Sequence, residues 1–183
     1  MNIGLHEFGK EYAHLKPILV NRCSVLAQIP LLKLNDGNSS NSPHKRRMAK
    51  INEIKKTSIL SLADNSLKLC RLSCENEDYN LAYKKLHILQ HVSDKCKNQQ
   101  QLLLDEKNWQ LIDDRVEYQK SMLFWSWGEK ESAKMQMAHL IKKITKYGSE
   151  LLPEALRVMG SWLWTLRSEG LYCYHYYLCR VHF

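Results

Sequence analysis

Apolar residues recur at steps of three and four along most of this chain, the spacing that gathers side chains on one face of an α-helix. The pattern is clearest over 109–144. Leu111, Val116, Met122, Leu123 and Trp125 form one set there, and Ala133, Met137, Leu140, Ile141 and Ile144 the next. Gly128 lies between them, and its permissive backbone suits a helix C-terminus. Glu129 and Glu131 follow, where carboxylates complement the dipole of a helix start. The stretch predicts two antiparallel helices joined at Gly128, each with most of its apolar set on one broad face.

The rest of the chain repeats the theme. Leu5, Phe8, Tyr12 and Leu15 predict a short first helix. Pro17 opens a second one carrying Ile18, Leu19, Val25, Leu26 and Ile29, and Pro30 ends it. From Ser58 to Ser73 the helical period returns, Glu75-Asn76-Glu77 makes a turn, and Asp78 caps a helix carrying Leu81, Ala82, Leu86 and Leu89. Residues 93–107 read as a polar connection. Gly148 closes the second helix of the 109–144 pair, and Pro153 opens a last one with Leu152, Leu156, Met159, Leu163 and Leu166 on one side.

Two of these hairpins share a design. Phe124 and Trp125 place aromatic bulk before Gly128, and Ala133 puts a small residue five positions after it; Ala82 stands five positions after Glu77. Hairpins of the tetratricopeptide type are built this way, and such a unit needs stacked neighbours to bury its apolar face. The two alanines lie 51 residues apart, so the repeat is degenerate, with long connections. The fold class predicted is all-α, an α-solenoid of degenerate tetratricopeptide-like hairpins. Residues 1–34 supply N-terminal helices, 35–57 a polar and basic linker or insertion, and 58–168 the hairpins. Residues 171–183 hold four tyrosines, no acidic residue and no helical period, and read as a tail foreign to the helical unit.

Composition agrees with a globular helical protein. The chain of 183 residues is 44% hydrophobic and 25% charged, enough to build one core, and its few glycines and prolines argue against a sandwich or barrel. No stretch approaches the ~18 apolar residues of a membrane span. The six cysteines are irregularly spaced behind no apolar leader, which reads as reduced thiols of the cytosol or nucleus. The net charge of +8 is concentrated at Lys45, Arg46, Arg47, Lys50, Lys55 and Lys56. Lys45, Arg46, Arg47 and Lys50 are a candidate localisation signal, weighed against a solvated linker. Direct nucleic-acid binding is not expected, because no aromatic residue interleaves to stack on bases.

Candidate chemistry is sparse. A kinase needs a glycine-rich phosphate loop, an ATP lysine, an HRD-type base and a DFG-type metal ligand, and none is present, so the chain is not expected to be an enzyme. Asp113 and Asp114 diverge by ~100° on a helix and read as a solvated face. Cys70, Cys74, His87 and His91 form two i, i+4 pairs that could meet around a tetrahedral zinc. Against that stands the reading in which Cys70 fills core and the histidines face water, and no metal or cofactor is expected. Trp125 and Trp162 read as core knobs between hairpins, and Trp127 or Trp164 as a contact to another subunit or domain.

Trp109-Gln110-Leu111, then Phe124-Trp125-Ser126-Trp127 before Gly128-Glu129-Lys130-Glu131, then Leu140-Ile141-Lys142-Lys143-Ile144 stand in an order known from one family. Ala155-Leu156-Arg157-Val158-Met159-Gly160-Ser161-Trp162-Leu163 follows them. Together they resemble the FAT region of the phosphatidylinositol-3-kinase-related protein kinases. Pro17-Ile18-Leu19 with Arg22, and Leu67 to Leu89, are similar to its preceding helices, so the resemblance spans residues 16–168. Residues 1–15, the 35–50 insertion and 171–183 depart from the family pattern. The resemblance implies a piece of a large nuclear serine/threonine kinase of double-strand-break signalling, with the cytoplasm as a second compartment. It also implies that this piece does no chemistry. Its partners would be the kinase domain it clasps and other proteins, dimers included, with no membrane. The competing reading is a free-standing adaptor that binds peptides or proteins in the groove of a short repeat array.

Overall fold

The computed structural model describes the backbone of residues 3–31, 42–98 and 104–181, and the side chains of 12–31, 46–97 and 104–167. The described elements are all helical. They are α1 (Ile3–Gln28) with a short 3-10 turn (Ile29–Leu31), α2 (Ser42–Glu75), α3 (Tyr79–Asn98), α4 (Glu106–Ser126), α5 (Lys130–Thr145) and α6 (Leu152–Val181). Each helix packs on the next one; in addition α4 lies on α2 as well as on α3, and α1 also touches α3.

Several boundaries differ from the sequence reading. Pro17 lies inside α1 instead of opening a second helix. Its missing N–H costs one helical bond, and burial of Leu19 and Cys23 on the same helix works against that loss. Part of the expected 35–57 linker is helix, because α2 begins at Ser42; residues 35–41 lie outside the described ones. Met48, Ile51 and the buried Lys55 lead at helical spacing into buried Ile59 and Leu62, so one period runs back through the basic run. Similarly, α3 continues to Asn98 because Val92, Ser93 and Cys96 are buried. The 171–183 tail was read as non-helical, yet α6 runs on to Val181. No proline or glycine follows Gly170 to interrupt it.

Helix α4 organises the interior. Trp109, Ile112 and Val116 join Cys23, Ile59, Leu62, Leu89 and Cys96 in a core between α1, α2 and α3. Tyr118, Met122 and Trp125, on its other side, pack against Met137, Leu140, Ile144, Val158 and Trp162 of α5 and α6. Leu123 closes a smaller cluster with Cys70, Ala82 and Leu86. The apolar set of α4 therefore divides between two faces, where one broad face was expected.

In α6 the buried positions are Ala155, Val158 and Trp162, while Leu156 and Leu163 are exposed. The leucine stripe expected inside lies partly outside.

Candidate functional site

Three turns of one kind join the helices. Glu77 (φ 60°), Gly128 (φ 93°) and Gly148 (φ 68°) each take the left-handed backbone. In each, the following amide bonds back to the carbonyl five residues earlier: Asp78 to Ser73 (2.8 Å), Glu129 to Phe124 (2.9 Å) and Ser149 to Ile144 (3.3 Å). That closure satisfies carbonyls a helix end would otherwise leave open. Ala82 and Ala133, five residues beyond the first two turns, are fully buried, as is Ala155 in α6. A larger side chain at any of these would force the helices apart.

Aromatic residues brace the same turns. Trp125 and Trp162 stack with ring centroids 4.5 Å apart and planes 2° from parallel. The Lys130 ammonium lies 5.6 Å from the Trp125 centroid. Trp127, about half exposed, lies over Tyr79 at 6.0 Å and ties the α4–α5 turn to the start of α3. Trp164 is exposed. The positions singled out from the sequence (Phe124, Trp125, Gly128, Ala133, Ala82 and Trp162) thus all lie at turns or helix contacts.

Two polar clasps were not anticipated. Asp78 caps α3 through the Leu81 amide (3.3 Å) and also accepts from Lys16 (2.7 Å) and Tyr12 (3.0 Å) of α1. The Lys16 ammonium, foremost, holds the Asp78 carboxyl below its ordinary range. The second clasp corrects the reading of Asp113–Asp114 as a solvated face, since Asp114 is 1% exposed. Tyr147 donates to Asp114 Oδ2, and Lys143 lies 3.2 Å from Oδ1 and 2.8 Å from Glu117. Burial, then the Asp114 hydrogen bond, pushes the Tyr147 phenol upward, so it stays protonated and donates. Burial works against the Lys143 ammonium, but Glu117 and Asp114 more than offset it and raise its pKa. Asp113 is paired separately with Lys97 at 2.6 Å. A cleft of about 280 Å³ opens beside Asp114, Tyr147 and Gly148. With its carboxylate engaged by a phenol and an ammonium, the cluster acts as a fastening between α4 and α5. One signal for it was available: Asp114, Tyr118, Ser121 and Trp125 step by four, three and four along the α4 side that meets α5.

The zinc-like arrangement does not assemble. Cys70 is buried with Ala82, Leu86 and Leu123, while His87 and His91 are exposed. Among the described residues no three His, Cys, Asp or Glu side chains are placed to hold a metal ion. A hydrogen bond to Cys74, then burial, pushes the Cys70 thiol upward, so it remains a neutral core group.

Of the basic run, Arg46, Arg47 and Lys50 are exposed on α2; the Lys45 side chain lies outside the described residues. Within one helical turn they share one side of the rod. No described helix is long and apolar enough to cross a membrane. Comparison of the chain with protein-family models, with curated proteins and with solved structures finds no match.

Proposed function

We propose that this chain is a non-catalytic helical-repeat scaffold, a FAT-type segment of a serine/threonine kinase similar to the ataxia-telangiectasia-mutated kinase of DNA-damage signalling. Its work is mechanical. Hairpins stacked as a degenerate tetratricopeptide-like solenoid hold a distant phosphotransferase region in a restrained geometry, and protein contacts along the stack bias that geometry. The nuclear location belongs to the same reading, with Lys45, Arg46, Arg47 and Lys50 as the localisation signal.

The observation that carries it is the repeated hairpin. Glu77 and Gly128 share a left-handed backbone, and each stands five residues before a fully buried alanine. The packing order supports it as well: α4 leans on both helices of the α2–α3 hairpin, and α6 follows on α5. A stack in which each hairpin rests on the one before has this order.

Transcripts sequenced across the codon for Glu169 test the proposal. The expected result is an open frame that continues into HRD-type and DFG-type kinase sequences. Expressed transcripts that all stop after Phe183 would overturn it, in favour of the free-standing adaptor.

A further inference from the structure

The outer side of α6 carries an apolar stripe that no described element covers. Leu156, Leu163 and Trp164 are 51%, 50% and 72% exposed, on the side away from the buried Ala155, Val158 and Trp162. Gly160 sits in the middle of the stripe, where an added Cβ would meet nothing within 4 Å. A glycine inside a helix costs about 1 kcal/mol relative to alanine, and no neighbour in this fold accounts for it. A missing side chain at that point lets a second helix backbone come close. Arg157 and Arg167 border the stripe, both exposed and without an ion pair among the described residues. No acidic residue lies between them. Glu154, one turn before, is engaged by Tyr118 at 3.0 Å.

We infer that this face binds an amphipathic helix of a protein partner whose apolar seam covers Leu156, Leu163 and Trp164 and whose flanks are acidic. Burial of the leucines and the indole supplies affinity. The arginines select the partner, since complementary charge steers encounter and like charge opposes it. A second copy fits poorly, because it would bring two more arginines to the seam and another net charge of +8. Nucleic acid fits poorly too, as phosphates would be set against the exposed leucines. The surface is defined by the residues of α6 and exists whether or not the chain belongs to a kinase.

Two synthetic helices of about 21 residues, long enough to span the stripe, test this when titrated into the full chain by calorimetry. They share one leucine seam, flanked by glutamate in one and lysine in the other. The glutamate helix is expected to bind at least ~10-fold tighter, with the gap narrowing as salt rises. Leu163→Asp and Gly160→Leu should each weaken it ~10-fold or more, Gly160→Ala should weaken it less than Gly160→Leu, and all three keep helical circular dichroism. Equal affinity for the two peptides, binding of neither, or undiminished binding to Leu163→Asp would overturn the assignment. A dimer in sedimentation that Leu163→Asp dissolves would overturn it as well, giving the face to a second copy.

Discussion

Glu77 holds at the α2–α3 turn the left-handed backbone that Gly128 holds at the α4–α5 turn, with φ of 60° against 93°. A glutamate pays for that conformation and a glycine does not, since Cβ crowds the following carbonyl by about 1–2 kcal/mol. Glu77→Gly should therefore raise stability by about 0.5–1 kcal/mol, read as a higher urea midpoint at unchanged slope. Gly128→Ala should lower it by about 1 kcal/mol or more. The space around Gly128 is open, so that cost is backbone strain alone.

The buried alanines should resist enlargement. Ala82→Leu and Ala133→Leu are each expected to cost about 1–3 kcal/mol through overpacking. Ala138, on the exposed side of α5, is the control. Ala138→Leu should stay within about 0.5 kcal/mol, and thermal melts of the three variants decide it.

The stacked indoles should be energetically coupled. A double-mutant cycle on Trp125 and Trp162, with leucine at each, is expected to return about 0.5–1.5 kcal/mol of interaction beyond the separate losses. A coupling of zero would mean that the parallel rings are neighbours without mutual stabilisation.

Asp78 sets an acid limit. Its carboxyl lies below the ordinary value in the fold, chiefly through Lys16. The linked stability is therefore present above the unfolded pKa of about 3.9 and lost as pH falls through the lower folded value. The pair is partly exposed, so its size should be about 1 kcal/mol or less. Urea unfolding from about pH 6 down to pH 2 should show the gap between parent and Asp78→Asn closing below about pH 4.

Lys143 should matter more than a surface lysine. Lys143→Met leaves Asp114, 1% exposed, without its nearby ammonium. The loss should approach about 3 kcal/mol, against less than about 1 kcal/mol for Lys134→Met, whose i, i+3 partner Glu131 is 78% exposed and keeps its hydration when the ammonium goes. Denaturant titration of both variants makes the comparison.

Spacing alone located the hairpin turns, the Asp78 cap and the close-packed alanines, because these depend on residues within a few positions of one another. Gly128 and Ala133 declare a turn and a close approach through their own stereochemistry. A helix stripe, in contrast, says that a face exists but not which face is covered. Leu156 and Leu163 make a better apolar stripe than Ala155, Val158 and Trp162, yet the second set lies inside, since α5 and the Trp125 ring meet that side.

The all-helical character, the positions of the turns and the small residues at helix contacts were thus determined by the sequence itself, through local propensity and backbone stereochemistry. Tertiary structure decided that α2 runs back through the basic stretch, that Asp114 is buried, and that Lys16 meets Asp78 across 62 residues. The physical reason is that burial and ion pairing are properties of neighbours. Neighbours distant along the chain are selected by how the faces pack, which no single helix encodes.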